Sequence, residues 1–498
     1  MANQSDLKWE GDGVDKVRSS HHEDAMVECV DDQKSAWRCI RDNPKISLWT
    51  LYANIGSIMI GYENLALSVA LAMPAFQMTF ASEIDGQLLI PAHWQSLWNA
   101  IFNVMIIAGS IAAGPIQDWF GRRAIFLTCI LTASAGITVA FVSETPAQFL
   151  GGKILSGFAL GAMTVGTQTY VSEIAPLPMR GIALSINTVG LNLGLLIAIS
   201  SMFSRIAIMD PSAFRVVFAG AWAFPGMLAL GLPFLPESPF WLHTVETERR
   251  LHAEAGTLAE CFRGTDRRRT FITLACFYMQ HAAGSGLASN APYFLNQTGL
   301  PSHVVLMITQ VGVSVGVVSA LVNILLMMRL RHRVLIFSGL GVCTAAYLAM
   351  GVAGAFPRTN LSMTVVGIAL QFSSLSYGPA IGAAMAIAGE VSSTRLRAKT
   401  LALGNAFGGI AGTVWQLVLP YLFNKDQADL GGNIGWIFFG IAACFLVLVY
   451  FEIPGTKGRT YEELDIMFEK RYPARAFEKD DVVAGLQEPG GDNGRNSQ

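Results

Sequence analysis

Charge is scarce in this chain. Only 14% of its 498 residues are Asp, Glu, Lys or Arg, whereas an ordinary soluble domain has about 25%. A soluble protein of this size needs charged side chains to cover its surface, so the scarcity argues against a cytosolic globular protein. Hydrophobic residues make up 52% of the chain, and its mean hydropathy is +0.43. Both values are typical of a chain that crosses a membrane many times.

Basic excess and catalytic motifs are missing as well. The formal net charge is -2, so the sequence predicts no nucleic-acid partner, which would require a basic surface. Seven cysteines in a chain of this length do not make a disulfide scaffold. The sequence contains no metal-ligand spacing, nucleophile elbow or GK[ST] phosphate loop. It therefore predicts neither an enzyme nor a bound metal or cofactor.

Long apolar runs are what the sequence has instead. A membrane helix needs about 20 mostly apolar residues, and twelve runs meet this requirement. They lack the alternation of apolar and polar residues that strands of a membrane barrel show. The sequence thus predicts an all-α membrane protein. Its spans, numbered 1 to 12 in chain order, cover residues 47–71, 94–116, 124–144, 147–171, 181–204, 214–235, 270–296, 304–328, 333–355, 362–388, 400–423 and 433–453.

The distribution of Lys and Arg predicts the orientation. If both termini are cytosolic, 29 of the 34 Lys and Arg residues lie on the cytosolic side and four in outer loops. Cytosolic loops of membrane proteins carry this kind of excess. The expected organisation is a largely disordered cytosolic tail (1–45), a six-helix half (46–236), a short cytosolic loop (237–269), a second six-helix half (270–454) and a cytosolic C-terminal tail (455–498).

Two further features concern processing. The first 45 residues contain no short apolar segment followed by a small-residue cleavage site, so no signal peptide is predicted. Sequons at Asn296 and Asn360 lie at the predicted outer membrane boundary and are glycosylation candidates.

The motifs at the predicted cytosolic ends repeat. Glu173 and Arg180 follow span 4 with a spacing of seven, and Glu390 and Arg397 follow span 10 with the same spacing, 217 residues later. The sequence FGRR at 120–123 likewise returns as LRHR after span 8. Charges that merely decorate helix ends would not keep such spacing. The repeat therefore predicts two six-span halves, which is a transporter architecture with a site between the halves.

Two ionisable residues are predicted to lie inside the membrane. Glu63 is about 16 residues into span 1, or roughly 24 Å from the cytosolic face, and Lys153 is about six residues, or roughly 9 Å, from the outer face. In a hydrocarbon core about 30 Å thick these depths agree within about one helical turn, so the two side chains could pair. We interpret them as a proton-coupling pair, with a purely structural ion pair as the alternative.

The charges at the cytosolic ends are candidates for an inner gate. Networks of opposite charge could hold the halves closed on that side and release them when the protein opens. The alternative is the positive-inside rule alone, which explains the arginines but not the carboxylates. The candidates are Asp118, Arg122, Arg123, Glu173, Arg180, Arg329, Arg333, Glu390 and Arg397.

Polar residues in spans 7 and 11 are candidates for a substrate cavity. Span 7 carries Gln280, His281, Asn290 and Tyr293, together with glycines and a proline that loosen a helix. Gln416 lies in span 11. The alternative is that these side chains only join one helix to another.

The motifs resemble those of the sugar-porter branch of the major facilitator superfamily. The stretches GPIQDWFGRR, YVSEIAPLPMRG, LPESPFWL and IPGTKGRTYEELD are similar to four family motifs, and the resemblance covers about residues 45–480. Within the branch, ECFRGTDRRRT and GEVSSTRLRAKT resemble the fungal α-glucoside (maltose permease) type. The resemblance implies alternating access and proton symport, and it adds Tyr377, in place of a family Trp, to the cavity.

The departures from the family pattern are specific. Glu63 and Lys153 stand where the family has Asp and Arg, a longer acid with a shorter base, so the reach of the pair is roughly kept. Several sugar-contacting positions are not kept, because Leu195, Gly286 and Gly382 fall where polar or aromatic residues are expected. A larger, less hydroxylated substrate is therefore consistent with the sequence.

The sequence is thus interpreted as a secondary-active transporter of the sugar-porter type. It is expected to be a plasma-membrane monomer that takes up a sugar such as an α-glucoside together with a proton. Its partners are a small-molecule substrate, the proton and the lipid bilayer, and it needs no cofactor. One alternative is a metabolite carrier or efflux transporter for a non-sugar substrate. A second is a non-transporting nutrient sensor, which the short C-terminal tail disfavours.

Overall fold

All twelve predicted spans are helical in the computed structural model. The structure describes residues 41, 43–84, 87–175, 177–203, 205, 210, 212–237, 258–357, 359–393, 396–424, 427–456 and 461–478. Almost all of the predicted N-terminal tail, most of the loop between the halves and the last part of the C-terminal tail lie outside these residues.

The first half consists of spans 1 to 6. Span 1 is bent, and span 6 is interrupted at Trp222, which precedes Pro225 by one turn. The helices are Pro44–Ala53, Ile55–Leu71 and Pro74–Phe80 (span 1), Ala92–Phe120 (span 2), Arg122–Val142 (span 3), Pro146–Ile174 (span 4), Leu177–Phe203 (span 5), and Ser212–Ala221 and Ala223–Gly231 (span 6).

The second half consists of spans 7 to 12. Span 7 is divided into three short helices, whereas the other five are continuous. The helices are Asp266–Ala282, Ser285–Ser289 and Ala291–Gln297 (span 7), Ser302–Arg329 (span 8), His332–Ala355 (span 9), Asn360–Val391 (span 10), Arg397–Phe423 (span 11) and Ile434–Glu452 (span 12).

Length and composition confirm a multi-pass membrane protein. Among the described residues, nine helices can each cross a membrane, and the bent span 1, with an angle of 75° before Pro74–Phe80, makes ten. The broken span 7 and the long span 10 complete the twelve predicted runs. Span 1 begins and span 12 ends at the same face of the bundle, which we name the terminal face. We name the opposite face the far face.

The two halves repeat each other at their helix starts. Thr145 caps span 4 by accepting a hydrogen bond from the backbone N–H of Gln148 at 3.3 Å, and Thr359 caps span 10 by accepting one from Ser362 at 3.2 Å. Both caps are reciprocal, because the side chain at the third helical position bonds back to the cap residue. Spans 4 and 10 are equivalent in the repeat, so this detail supports the internal duplication.

Glycines allow close packing of the helices within the first half. A Cβ atom at Gly109 in span 2 would overlap the carbonyl of Phe158 in span 4, and one at Gly161 would overlap the carbonyl of Ile106. Gly61 in span 1 meets span 5 in the same manner. Membrane helices associate through such small residues because lipid provides no hydrophobic driving force between helices.

The halves meet along two helix pairs. Span 2 packs against span 11, and span 5 packs against span 8. The other extensive contacts lie within a half, for example between spans 2 and 4 or between spans 9 and 10. Spans 2, 5, 8 and 11 therefore form most of the boundary between the halves.

Two smaller elements were not predicted. A two-stranded antiparallel hairpin, Ser82–Ile84 with Gln87–Leu89, lies at the far face. In the predicted C-terminal tail, a helix over Tyr461–Glu469 docks on the terminal face, where Asp465 accepts a hydrogen bond from Arg269 at 2.5 Å. The ring centroid of Phe468 lies 4.6 Å from Cζ of the same arginine. A charged contact and a cation–π contact therefore hold the tail to the start of span 7.

Candidate transport site

The two predicted intramembrane charges are in contact. Lys153 Nζ lies 3.3 Å from Glu63 Oε2, and the two side chains are 1% and 4% exposed. Isolated charges in this position would cost several kcal/mol, and pairing reduces that cost. Glu63 Oε1 is buried and has no hydrogen-bond partner among the described residues. The carboxylate thus retains an acceptor that could take a proton.

Aromatic rings surround this pair. Lys153 Nζ lies within 6 Å of the centroids of Phe102, Phe149 and Phe218. Toward the far face, Phe149 contacts Phe76 and Trp98, whose ring centroids lie 5.5 and 5.2 Å away. The pair is therefore held inside the first half by apolar groups, where electrostatic interactions are strong.

Amide side chains join the halves near the far face. Gln95 in span 2 donates a hydrogen bond to the hydroxyl of Tyr293 in span 7 at 2.8 Å. One turn further into the membrane, Asn99 donates to Asn290 at 3.5 Å, and Asn290 in turn donates to Gln416 of span 11 at 2.8 Å. Three predicted cavity residues, Asn290, Tyr293 and Gln416, thus take part in two sets of hydrogen bonds that join the halves.

His281 and Gln280 lie deeper along span 7. His281 Nε2 is 2.8 Å from the carbonyl of Gly408 in span 11, and Nδ1 is 3.3 Å from the hydroxyl of Ser285. A carbonyl only accepts hydrogen bonds, so Nε2 carries a proton, and Nδ1 can accept from Ser285. Gln280 Nε2 lies 3.3 Å from His281 Nε2. A Cβ atom at Gly412 would lie 2.9 Å from His281 Cε1 and 3.8 Å from Oδ1 of Asn103, which belongs to the other half, so His281 lies near the boundary between the halves.

At the terminal face of the first half, the charges form a compact network. Arg122 donates to Glu173 from Nη2 at 2.6 Å and from Nε at 3.0 Å. Glu237 accepts from the backbone N–H groups of Arg122 and Arg123, at 3.0 Å each. A carboxylate at a helix N-terminus is favourable because it satisfies free N–H groups and complements the helix dipole.

The second half has an equivalent but altered network. In the repeat, His332 corresponds to Arg122 and Glu390 to Glu173, and His332 Nδ1 lies 3.7 Å from Glu390 Oε2. Arg333 donates to the carbonyl of Tyr450 near the end of span 12 at 2.8 Å. Arg123 makes the matching contact with the carbonyl of Leu235 after span 6. Each half thus ties the start of its third span to the end of its sixth.

Other predicted residues lie at the ends of their helices. Arg329 is exposed at the end of span 8. Asn296 donates to Ser302 at 3.0 Å, and Asn360 is exposed at the start of span 10. Four further predicted side chains lie outside the described ones, although their backbones are helical: Asp118, Arg180, Tyr377 and Arg397.

Several residues of the site were not predicted. Gln95 and Asn99 are spaced four apart on one face of span 2, a polar pattern that the sequence shows but that we did not interpret as part of the site. Glu237 belongs to a recognised motif, yet its function as a helix cap depends on the position of span 3. The phenyl rings around Lys153 come from three spans, so no local pattern indicates them.

Comparisons with known proteins identify the class. The family model described as "Sugar (and other) transporter" matches residues 49–258 and 244–468, which is most of the chain. With its twelve helices in two halves, this chain belongs to that family, the sugar porters of the major facilitator superfamily.

Similar proteins include permeases of yeast. A general alpha-glucoside permease of Saccharomyces cerevisiae is 25% identical over 477 residues, which cover 87% of this chain and 77% of the permease. The MFS transporter fmqE of Aspergillus fumigatus is also 25% identical, over 94% of this chain and 96% of its own.

Solved structures agree on the fold. A crystal structure of a D-xylose-proton symporter superposes with a TM-score of 0.68 at 19% identity, over 82% of this chain and 98% of the symporter. The inward-open conformation of the xylose transporter XylE from E. coli gives 0.68 at 20% identity, over 85% and 99%. At these identities the likeness establishes the twelve-helix architecture.

Proposed function

We propose that this protein takes up a sugar, such as an α-glucoside, together with a proton across the plasma membrane. Both termini would face the cytosol, so the terminal face is the inner face and the far face is the outer one. The observation that carries the proposal is the buried contact between Glu63 and Lys153 inside the first half. The similarity to alpha-glucoside permeases supports the substrate class.

Glu63 is the proposed proton carrier. Its Oε2 faces Lys153, whereas Oε1 is free to receive a proton among the described contacts. Protonation removes the negative charge of Glu63 and so weakens the attraction between Glu63 and Lys153. A change in this attraction can shift the balance between two conformations only if they differ in how they hold the pair. Lys153 would tune Glu63 and remain in the site throughout the cycle.

The amide network is the proposed substrate site and outer closure. Asn290 and Gln416 bond to each other, and Asn99 extends the network to the first half. Hydroxyl groups of a sugar can replace such amide-to-amide bonds without leaving buried groups unpaired. Gln280 and His281 extend the polar lining toward the terminal face, and Tyr377 of span 10 completes the proposed set.

The proposed inner gate lies at the terminal face. Arg122, Arg123 and Glu173 form its first-half network, and Arg333 and Glu390 contribute from the second half. The remaining members would be Asp118, Arg180, Arg329 and Arg397. The gate would act by holding each half rigid, since the described contacts of Arg122 and Arg333 lie within their own halves.

Uptake of labelled maltose tests the proposal. The chain is expressed in yeast that lacks sugar transporters, its presence at the cell surface is verified, and external pH is recorded during uptake. We expect saturable uptake accompanied by alkalinisation of the medium. Absence of uptake in surface-expressing cells would contradict the proposal and would instead favour a carrier for a non-sugar metabolite.

A further inference from the structure

Lys153 is enclosed by three phenyl rings. Its Nζ lies 5.1 Å from the centroid of Phe102 in span 2, 5.7 Å from that of Phe149 in span 4 and 5.5 Å from that of Phe218 in span 6. Phe149 precedes Lys153 by one helical turn, so the two side chains share a helix face. All three rings are buried. We name this group the phenyl cage.

We propose that the phenyl cage keeps Lys153 charged when Glu63 is neutral, and that Phe102, Phe149 and Phe218 are positioning residues for proton coupling. The inference rests on the proposed function in one respect, namely that Glu63 carries the transported proton. The electrostatic part of the inference stands on the geometry of Lys153 alone.

The charge balance of the site makes the cage necessary. Span 1 presents Glu63 as the ion-pair partner of Lys153, whereas spans 2 and 6 present phenyl rings. The neighbouring Tyr62 hydroxyl is turned away and donates to the carbonyl of Val217 at 2.6 Å. When Glu63 takes a proton, the ammonium therefore loses its counter-charge in a buried site. Among the described residues, the negative faces of three aromatic rings remain to stabilise it.

Lysine needs such help and arginine does not. A guanidinium remains protonated in proteins, whereas a buried ammonium can lose its proton. Without the rings, an N–H bond of Lys153 would break and an O–H bond would form on Glu63, which leaves a neutral amine beside a carboxylic acid. Glu63 would then hold a proton that came from Lys153 and not from the medium, and transport would lose its coupling.

Infrared spectroscopy of the purified full chain in lipid nanodiscs tests this inference without a substrate. The readout is the carbonyl band of a protonated carboxyl group at neutral pH, assigned to Glu63 by its loss in Glu63→Gln. We expect the band to be absent in the unmodified protein and present in the triple variant Phe102→Leu, Phe149→Leu, Phe218→Leu. Single variants should give weaker bands in the same direction, which keeps the test open if the triple variant does not fold.

Two controls separate electrostatics from packing. Phe158→Leu removes a ring from the same span outside the cage and should leave the band absent. Lys153→Arg in the triple-variant background should abolish the band again, because arginine stays charged without the rings. A triple variant whose Glu63 remains ionised, or a band that persists after Lys153→Arg, overturns the proposal. If the unmodified protein transports no sugar, the proposed function fails, but the infrared result still decides the charge state.

Discussion

Among single residues, Glu63 and Lys153 are two opposite charges buried within the membrane-spanning helices. Each is almost fully buried, and each is the other's salt-bridge partner in the described residues. Breaking such a pair costs more than replacing both members, because one charge is left behind without compensation. The pair can therefore be tested by stability as well as by transport.

Lys153→Met should lower the stability of the folded protein strongly. We expect a loss of about 3–5 kcal/mol, since Glu63 stays buried beside apolar groups. The double variant Glu63→Gln, Lys153→Met should lose less than Lys153→Met alone. Thermal unfolding of the detergent-purified variants measures both. Losses that simply add would show that the two side chains do not interact.

The depths of these two residues in their spans were enough to predict that they could pair. The partners of the terminal-face charges could not be predicted in this way. The repeated spacing of seven residues marked Glu173 and Glu390, but Glu173 bonds to Arg122 of a different span. Contacts of this kind depend on how helices are arranged, which the spacing within one helix does not contain.

At the scale of the helix, glycine decides how closely the spans of the first half pack. Gly109 and Gly114 lie on the same span, but only the former faces a neighbouring backbone. A Cβ atom at Gly109 would overlap the Phe158 carbonyl, whereas one at Gly114 meets nothing within 4 Å. The two positions thus form a matched pair.

Gly109→Ala should destabilise the protein by more than about 2 kcal/mol, because spans 2 and 4 must move apart. Gly114→Ala should change the stability by less than about 1 kcal/mol, because its Cβ meets no neighbouring helix and the helix preference of alanine is offset at the residue before Pro115. The fraction of folded protein after heating, followed by size-exclusion chromatography, distinguishes them. Equal behaviour of the two variants would mean that spans 2 and 4 do not approach as described.

The amide network between spans 2 and 7 should hold the far face closed. The hydroxyl of Tyr293 accepts from Gln95 of the other half, whereas the hydroxyl of Tyr347 donates to Ala283 within its own half at 2.7 Å. Removal of either hydroxyl leaves a buried group unsatisfied, at about 1–3 kcal/mol. Only the loss of the Tyr293 hydroxyl, which bonds across the halves, should change the balance between the conformation closed at the far face and the open one.

Tyr293→Phe is therefore expected to open the far face, and Tyr347→Phe is not. A cost of about 1.4 kcal/mol corresponds to a tenfold change in the population ratio. Energy transfer between dyes at Glu144 and Phe356, which are exposed in loops of different halves, reports the separation. If Tyr293→Phe leaves the transfer efficiency unchanged, the network does not close the far face.

Helix breaks could be predicted only in part. The glycines and the proline of span 7 indicated a loosened helix, and the structure divides it at Gly284, which has a φ of 78°, and at Asn290. The predicted end of span 1 at residue 71 agrees with the end of the helix Ile55–Leu71, but the further helix Pro74–Phe80, which follows at an angle of 75°, was not predicted. A side chain at Gly284 would also meet the hydroxyl of Tyr347, so its position depends on span 9.

For the molecule as a whole, long apolar runs and repeated motifs were sufficient to predict twelve spans in two halves. These features reflect the physical requirement that backbone groups in lipid be satisfied within each helix. The docked helix Tyr461–Glu469 was not predicted, since its contacts with Arg269 combine parts of the chain that are distant in sequence.

The orientation in the membrane can be tested by labelling. The excess of Lys and Arg places the loop after span 3 outside and the loop after span 6 inside. A cysteine that replaces exposed Glu144 should react with an impermeant maleimide on intact cells, whereas one that replaces exposed Ala259 should react only after permeabilisation. The reverse pattern would contradict the predicted orientation.

The central claim is that Glu63 couples sugar movement to a proton. The most direct measurement compares accumulation and exchange of labelled maltose in cells that express the unmodified protein or Glu63→Gln. The account predicts that Glu63→Gln no longer accumulates maltose against a gradient but still exchanges it, because the neutral glutamine resembles protonated Glu63 and lets the protein alternate without binding a proton. Retained accumulation in Glu63→Gln would contradict the account.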